Sequence, residues 1–238
     1  MKIIRNINDL KMAIGKIPNL GFVPTMGGLH KGHISLIKES KKKSKKTLVS
    51  IYINPTQFNK VKDFKKYPRV LTKDKKILKN LKVDFLFLPK TNQIYKKKRL
   101  KRIRLKNNEK ILCAKYRKGH FEGVLDIMDR FMLLIKPKRV FMGEKDFQQY
   151  FLVKKYLEKK YKTKIYKINT VRDKNFIALS TRNSLLSNKN HKLLTNFIIS
   201  VFNFKKKIEK KSKINLMLKK FKKELQNLYK IKIEYLEV

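Results

Sequence analysis

The feature that most constrains this chain is a regular alternation between short apolar runs and longer segments with helical spacing. Five runs have the character of buried strands: residues 19–24, 47–53, 83–88, 139–142 and 165–169. Segments between them place apolar residues at helical intervals, most clearly at residues 71–81, 122–135 and 146–159. Because parallel strands need helical crossovers that cover both faces, the pattern predicts an α/β fold, a Rossmann-like doubly wound parallel sheet.

The pattern changes near residue 171, which indicates a domain boundary. Glycine is absent beyond Gly143, and residues 189–229 have the spacing of one or two amphipathic helices. Residues 231–238 alternate between apolar and charged side chains as a strand does. We therefore predict a larger domain over residues 1–170 and a smaller α+β domain over residues 171–238.

Positive charge dominates the composition, with 63 Lys and Arg against 17 Asp and Glu and a formal net charge of +46. Such a charge favours contact with polyanions, because released counterions add affinity. The basic residues recur along the whole chain instead of forming one stripe, which indicates compositional bias and argues against a specific nucleic-acid partner. A hydrophobic content of 42% excludes a disordered basic tail.

Two further features concern location. The single cysteine, Cys113, cannot form an internal disulfide, which favours a reducing compartment. The apolar stretches fall far short of the roughly 20 residues needed to cross a bilayer, and the N-terminus lacks a signal-like apolar run. We predict a cytoplasmic protein with no membrane partner.

The segment with the most chemical information is PTMGGLHKGH, residues 24–33. A strand that ends in a Gly-Gly turn and feeds a helix points backbone N–H groups at an anion such as phosphate. His30 and His33 share one face of the first helical turn, where they can donate hydrogen bonds to a phosphate under attack. The alternative interpretation is a polar helix start with two incidental histidines.

Three further clusters follow predicted strands or lie at the domain boundary. Lys145 offers a point charge for phosphate, and Gln149 offers both a donor and an acceptor for a polar substrate. Arg182 is able to neutralise a leaving pyrophosphate, and Gln57, next to the apolar Phe58, is placed as a ligand-facing residue would be. The clusters are NPTQF (54–58), FMGEKDFQQ (141–149) and ALSTRN (178–183).

Together the clusters resemble the pantothenate synthetase family, the pantoate-β-alanine ligases of the HIGH-type nucleotidyltransferase superfamily. The similarity runs from about residue 20 to the end of the chain, with the motifs in the family order. The segments that carry it are PTMGGLHKGHISLI, VSIYINPTQFNKVKDFKKYPR, KGHFEGV, FMGEKDFQQ and VRDKNFIALSTRN. The resemblance implies ATP-dependent joining of (R)-pantoate to β-alanine through a pantoyl adenylate, with release of pyrophosphate and then AMP.

The resemblance also implies roles for individual residues. The catalytic set is His30, His33, Lys145 and Arg182. The ATP-binding set is Met26, Gly27, Gly28, Leu29, His30, Lys31, Gly32, His33, Gly143, Glu144, Lys145, Asp146, Val171, Leu179, Ser180, Thr181 and Arg182. Gln57 and Gln149 would hold pantoate. Asp74 matches an acidic position linked to metal, while Lys62 and Lys73 stand where acidic residues are common in the family.

Further expectations follow from the same resemblance. Mg²⁺ accompanies ATP, the protein is a homodimer, residues 1–170 bind nucleotide and pantoate, and residues 171–238 form a truncated lid. Two alternatives stay open: another HIGH-type nucleotidyltransferase with a different acceptor, and a nucleic-acid-binding protein on a repurposed nucleotidyltransferase fold. The NPTQF and FQQ glutamines argue against the first, and the dispersed charge argues against the second.

Overall fold

A six-stranded sheet is the main feature of the computed structural model, which describes residues 1–95, 102–208 and 214–237. Its strands are β1 (Lys2–Ile4), β2 (Leu20–Thr25), β3 (Lys46–Ile51), β4 (Phe85–Phe87), β5 (Arg139–Gly143) and β6 (Lys164–Ile168). They pair in the order β1-β4-β3-β2-β5-β6, and every pair is parallel. The predicted α/β fold with a parallel sheet is confirmed.

Helices make the connections between these strands and continue beyond them. They are α1 (Ile7–Ile14), α2 (Lys31–Lys43), α3 (Val61–Lys66), α4 (Leu71–Asn80), α5 (Thr91–Tyr95), α6 (Cys113–Tyr116), α7 (His120–Ile135), α8 (Phe147–Val153), α9 (Lys159–Tyr161), α10 (Asn188–Ile208) and α11 (Ile214–Tyr229). Short 3₁₀ turns occupy Pro55–Gln57, Asn107–Glu109, Glu144–Asp146 and Thr181–Leu185, and a π-helical turn, Lys154–Glu158, joins α8 to α9.

Successive residues of the central strands enter two separate apolar cores, one on each face of the sheet. The first core contains Phe22, Leu48, Val140, Leu125 and Phe131. The second contains Val23, Val49, Phe141, Ile37 and Leu78. Strands buried on both faces are largely apolar, which is why the central strands appear in the sequence as runs rich in apolar residues.

The strand order changes direction at β2, which lies between β3 and β5. The chain builds β3 and β4 on one side of β2 and then crosses to place β5 and β6 on the other side. In open parallel sheets, ligands bind outside the carboxyl ends of the strands at such a switch point. The fold therefore directs attention to the loops that follow β2, β3 and β5.

The chain divides into two compact units, Met1–Val171 and Arg172–Val238. In the second unit, α10 and α11 pack through stacked rings of Phe204 and Phe221, whose centroids lie 3.8 Å apart. The expected strand at residues 231–238 is absent over the described residues 231–237. Side chains of α11 hold this segment, because Gln226 Oε1 accepts from the amide of Ile233 at 3.0 Å.

Two other segments of the first unit are the N-terminal residues and the basic stretch 95–108. The N-terminal residues 2–14 fold as β1 and α1, and the side chain of Asn6 caps α1 by accepting from the amide of Asp9 at 2.8 Å. For the basic stretch 95–108, the sequence leaves two possibilities open, a surface hairpin or a flexible loop. Residues 96–101 lie outside the described residues, and residues 102–106 form neither helix nor strand. Over the described ranges, no helix has the length and apolar content of a membrane span.

Candidate active site

Three loops that carry predicted site residues leave adjacent strands at the same edge of the sheet. The turn after β2 holds His30 and His33, the loop after β3 holds Gln57, and the loop after β5 holds Lys145. These side chains are far apart in the sequence, and the parallel order of the strands brings their loops to one place. This edge is also the switch point of the sheet, so it is the candidate active site.

Side-chain oxygens of the protein accept the backbone N–H groups of the turn after β2. The amide of Gly27 donates to Thr25 Oγ1 at 3.2 Å. The amides of Gly28 and Leu29 donate to the two carboxylate oxygens of Asp74, at 2.9 and 2.8 Å. The expectation that the turn directs these amides at phosphate is therefore corrected, because protein oxygens receive them.

Glycine is required in this turn by the backbone conformation. Gly27 and Gly28 have φ angles of +79° and +63°, in the left-handed region that favours glycine. A Cβ atom on Gly27 would also lie 3.0 Å from a carboxylate oxygen of Asp74 and 3.0 Å from Ile51. The Gly-Gly pair thus allows the carboxylate to come close to the turn.

His30 and His33 hold each other in place at the start of α2. The amide of His30 donates to Nδ1 of His33 at 3.3 Å, and the amide of Gly32 donates to Nδ1 of His30 at 3.1 Å. A ring nitrogen that accepts a hydrogen bond carries no proton, so each neutral ring keeps its proton on Nε2. Both histidines therefore present an Nε2–H donor, and their ring centroids are 4.1 Å apart.

Because Gly32 has no side chain, the ring of His30 can lie close to its backbone. A Cβ atom at this position would lie 2.8 Å from Cε1 and 3.0 Å from Nδ1 of His30. Any side chain at residue 32 would push the ring away from the amide that it caps. The HKGH spacing thus serves two purposes, since it places both imidazoles on one turn and keeps a small residue beneath the first of them.

The electrostatic environment disfavours the protonated form of both imidazoles. Burial, then a protonated His30 and then Lys145, lower the pKa of His33 from 6.5 to about 3. Burial and then Lys145 lower the pKa of His30 as well, and Asp146 opposes them in part. Because Lys145 acts on both rings, the loop after β5 and the turn after β2 share one electrostatic site.

The loop after β5 forms a 3₁₀ turn whose charged side chains are paired. Lys145 Nζ lies 2.8 Å from Asp146 Oδ1, and both side chains are exposed. Glu144 pairs with Lys167 of β6, and this pairing lowers the pKa of the Glu144 carboxyl. An exposed ion pair contributes little to stability, so Lys145 can exchange Asp146 for a phosphate oxygen at low cost.

Gln57 reaches the turn after β2 from the neighbouring loop. Its Nε2 donates to Sδ of Met26 at 2.9 Å, so two predicted site residues are in contact. The loop is fixed by Asn54, whose Oδ1 accepts from the hydroxyl of Tyr95 at 2.8 Å and whose Nδ2 donates to the carbonyl of Gly123 at 3.2 Å. These hydrogen bonds fix the loop that positions the side-chain amide of Gln57.

Helix α7 supplies a support for Gln57 that the sequence interpretation did not assign. Nδ1 of His120 lies 2.6 Å from the carbonyl oxygen of Gln57. A Cβ atom on Gly123 would lie 2.4 Å from the carbonyl oxygen of Thr56, so only glycine lets the loop approach the helix this closely. The KGHFEGV motif thus gains a structural role, and the signal for it was a glycine inside an otherwise apolar helix.

Comparisons with known proteins point to one family. The family model described as pantoate-beta-alanine ligase matches residues 2–238. The chain belongs to the pantoate-beta-alanine ligase family. It is 33% identical to the pantothenate synthetase of Fervidobacterium nodosum over 100% of this chain and 87% of that protein. The pantothenate synthetase of Endomicrobium trichonymphae is 37% identical over 100% of this chain and 86% of its own length.

A solved structure from the family has the same fold. The crystal structure of the Francisella tularensis pantoate-beta-alanine ligase, in complex with beta-gamma ATP and beta-alanine, superposes with a TM-score of 0.88 at 35% identity. The match covers 100% of this chain and 89% of that one. This ligase therefore shares the α/β fold of the family.

Membership of the pantoate-beta-alanine ligase family focuses attention on the two glutamines of the FQQ segment, which the structure separates clearly. Gln148 is committed to the backbone: its Oε1 accepts from the amide of Ala114 at 3.3 Å, and its Nε2 donates to the carbonyl of Ile111 at 2.9 Å. Within the described residues, the Gln149 side chain makes no such bond, and it is half-buried. Gln149 therefore keeps its amide available, as its predicted role requires.

The predicted metal position, Asp74, has a different environment from the one expected for this family. It is 1% exposed, and each carboxylate oxygen already accepts a backbone N–H. The described residues contain no group of three or more His, Cys, Asp or Glu side chains placed to hold a metal ion together. The residues present do not fit a metal ion held by the protein at Asp74.

Five further predicted residues of this pantoate-beta-alanine ligase lie at or beyond the unit boundary. Val171 is the last residue of the first unit, and residues 179–182 belong to the second. Within the second unit, the Ser180 hydroxyl caps the following 3₁₀ turn by accepting from the amide of Arg182 at 3.3 Å. The assignment of Val171 and residues 179–182 to ATP binding stays a prediction.

Proposed function

We propose that this chain joins (R)-pantoate to β-alanine at the expense of ATP, releasing AMP and pyrophosphate. The observation that carries the proposal is the arrangement of His30 and His33, which present two Nε2–H donors beside Lys145 at the switch point of the sheet. Gln57, held against Met26, borders the same turn and offers an amide to the organic acid. Family membership supplies the substrates that fit these groups.

The first step is attack of the pantoate carboxylate on the α-phosphorus of ATP. A phosphorus–oxygen bond forms, and the bond to the pyrophosphate oxygen breaks. The carboxylate is already a nucleophile, so the step needs positioning and charge neutralisation but no general base. The two Nε2–H groups donate to oxygens on which charge develops, and Lys145 adds a positive charge nearby.

The second step is attack of the β-alanine amine on the carbonyl carbon of pantoyl adenylate. A carbon–nitrogen bond forms, the bond from that carbon to the AMP oxygen breaks, and the amine loses a proton to solvent. Gln57 and Gln149 hold the pantoyl group in our proposal, since an amide offers a donor and an acceptor to hydroxyl and carboxyl oxygens. Holding the mixed anhydride in place favours the amine over water.

Three finer proposals accompany this function. Mg²⁺ enters with ATP as part of the substrate and neutralises phosphate charge, since the described residues offer it no cluster of ligands. The protein is a homodimer in the cytoplasm, as expected from its family resemblance and cysteine content. The charge of +46 assists the approach of anionic substrates without any nucleic-acid function.

An omission assay tests the proposed function. The purified chain is incubated with Mg-ATP, (R)-pantoate and β-alanine, and AMP and pantothenate are quantified. We expect equal amounts of both products, and loss of both when either organic substrate is omitted. Turnover of ATP that is independent of pantoate would contradict the proposal and favour a different acceptor.

The histidine tautomers give a prediction that does not depend on turnover. Because its Nδ1 accepts an amide N–H and its pKa is about 3, we expect the ring of His33 to stay neutral, with the proton on Nε2, down to a pH of about 5. The ring of His30, whose pKa is also lowered, should likewise keep its proton on Nε2 at neutral pH. ¹⁵N-detected spectra of the imidazoles measure this, with His33→Ala used for assignment. A ring of His33 that becomes protonated near pH 6.5 would contradict the geometry.

A further inference from the structure

We propose that Asp74 is a positioning residue for adenylate formation, because it holds the backbone that carries His30 and His33 in the donating orientation. This inference rests on the proposed function and deepens it. Asp74 lies on α4, separated by 46 positions in sequence from Gly28, the first amide that it binds. It touches neither rings nor phosphate in our account, and it acts through the turn.

The geometry of the carboxylate is specific to the turn. Asp74 is 1% exposed, and its two oxygens accept from consecutive amides, Gly28 at 2.9 Å and Leu29 at 2.8 Å. A buried carboxylate needs donors on both oxygens, because an unpaired buried charge is costly. Two consecutive amides can meet one carboxylate only if the backbone turns sharply, which the positive φ angles of Gly27 and Gly28 provide.

The fixed amides lie directly before the two histidines. Leu29 precedes His30, and the amide of His30 is itself the donor to Nδ1 of His33. A shift of the turn would therefore move the His30 amide and release the ring of His33. Hydrogen bonds and peptide units alone connect Asp74, through Leu29 and His30, to His33. Loss of the Asp74 carboxylate would therefore displace the ring of His33.

The carboxylate also determines which groups remain for phosphate. By accepting the Gly28 and Leu29 amides, Asp74 removes two donors that a glycine-rich turn would otherwise offer. Recognition of the reacting phosphate then depends on side-chain donors, namely His30, His33 and Lys145. Correct orientation of those side chains becomes the main requirement, and the turn that sets the orientation becomes important for rate.

The decisive variant is Asp74→Asn, which keeps the shape of the side chain but replaces one acceptor with a donor. That donor would face a backbone N–H group, so the turn must move. We expect pantoate-dependent adenylate formation to fall by about 30- to 100-fold in kcat, while KM for ATP changes less than about 3-fold, since the lost interactions operate in the transition state. The imidazole ¹⁵N signals of His30 and His33 should change as their capping bonds weaken.

A matched control is Asp84→Asn, at the amino-terminal ends of the strands, opposite the end that carries the candidate site. Asp84 likewise binds a backbone amide, that of Thr47 at 2.9 Å, and its other oxygen binds Lys46 at 2.8 Å. It lies before β4 and far from the loops of the candidate site, so we expect an unchanged kcat. A lower kcat in Asp74→Asn alone would come from the changed position of the turn. An equal loss in both variants would indicate a general effect of removing a carboxylate that accepts from a backbone amide.

Three outcomes would overturn the inference. One is a wild-type kcat in a folded Asp74→Asn protein, and another is recovery of the lost rate with excess Mg²⁺, which would indicate a metal ligand. The third uses the unmodified protein and needs no variant to fold: amide exchange of Gly28 and Leu29 at the rate of an unprotected loop. If the wild-type chain lacks turnover, the proposed function fails, yet the amide exchange and imidazole spectra still test the contact itself.

Discussion

Replacing His33 with alanine is expected to slow pantoyl adenylate formation by about 10²- to 10³-fold, the usual effect of losing one donor to developing charge. The substitution removes an Nε2–H group that the structure orients by a hydrogen bond to Nδ1. It also leaves the amide of His30 without that acceptor, so the neighbouring ring loses part of its support. The measurement is single-turnover formation of adenylate from Mg-ATP and pantoate, without β-alanine.

The chain offers a natural control for this substitution. His191 lies in the second unit, 3.8 Å from Asp173, and has no assigned role in the reaction. We expect His191→Ala to keep adenylate formation within about 2-fold of the wild type, since surface substitutions away from a site are usually mild. Near-wild-type turnover in His33→Ala would refute the role given to this ring.

Gly123→Ala is expected to lower pantoate-dependent turnover by about 10²-fold, although the substitution lies on a helix behind the site. The added Cβ would meet the carbonyl oxygen of Thr56 at 2.4 Å and Cα of Gln57 at 3.1 Å. Both are backbone atoms, so the loop has to move as a unit and carries the Gln57 amide with it. A misplacement of about 1 Å at a substrate-positioning group is enough for a loss of this size.

Stability should respond less than activity to the same change. Alanine favours a helix interior over glycine by about 1 kcal/mol, whereas overpacking costs about 1–3 kcal/mol, so the two effects partly cancel. Thermal unfolding measured beside the kinetics separates them. Leu133→Ala, at a half-exposed position of the same helix, is the matched control and should leave kcat within about 2-fold. A normal KM for pantoate and a normal kcat in Gly123→Ala would contradict the account of α7.

The fold could be predicted from the sequence because the information is local. Each central strand is buried on both faces, as Phe22 and Val23 illustrate, so it is rich in apolar residues and is visible in a short window. The alternation at residues 231–238 was misleading for the same reason. A local pattern indicates what a segment could pair with, but Gln226 of α11 supplies the hydrogen bond in place of a neighbouring strand.

The residue types of the candidate site could be predicted from the sequence, but the hydrogen-bond partners of its backbone amides could not. Histidines three positions apart and a lysine after a strand are visible as residue types, and the sheet brings the loops of His30, His33 and Lys145 to the same edge. The partners of the Gly28 and Leu29 amides could not be predicted, because the acceptor, Asp74, lies 45 to 46 residues away. Only the tertiary structure shows that this acidic residue binds the turn.

The support of Gln57 by α7 was hidden for a related reason. The sequence shows a glycine and a histidine near the start of an apolar helix, but it does not show which loop approaches them. His120 meets the carbonyl of Gln57 across 63 positions of sequence. Long-range contacts between two loops or a loop and a helix have no periodicity, so pattern analysis has nothing to detect.

The central claim is that the pantoate carboxylate attacks the α-phosphorus of ATP and that the amine then displaces AMP. The most direct measurement supplies pantoate with ¹⁸O in both carboxylate oxygens and analyses the products by mass spectrometry. The account predicts that AMP gains one ¹⁸O atom for each pantothenate formed, because the attacking oxygen stays on phosphorus. Unlabelled AMP, or ¹⁸O found in inorganic phosphate together with ADP, would contradict it.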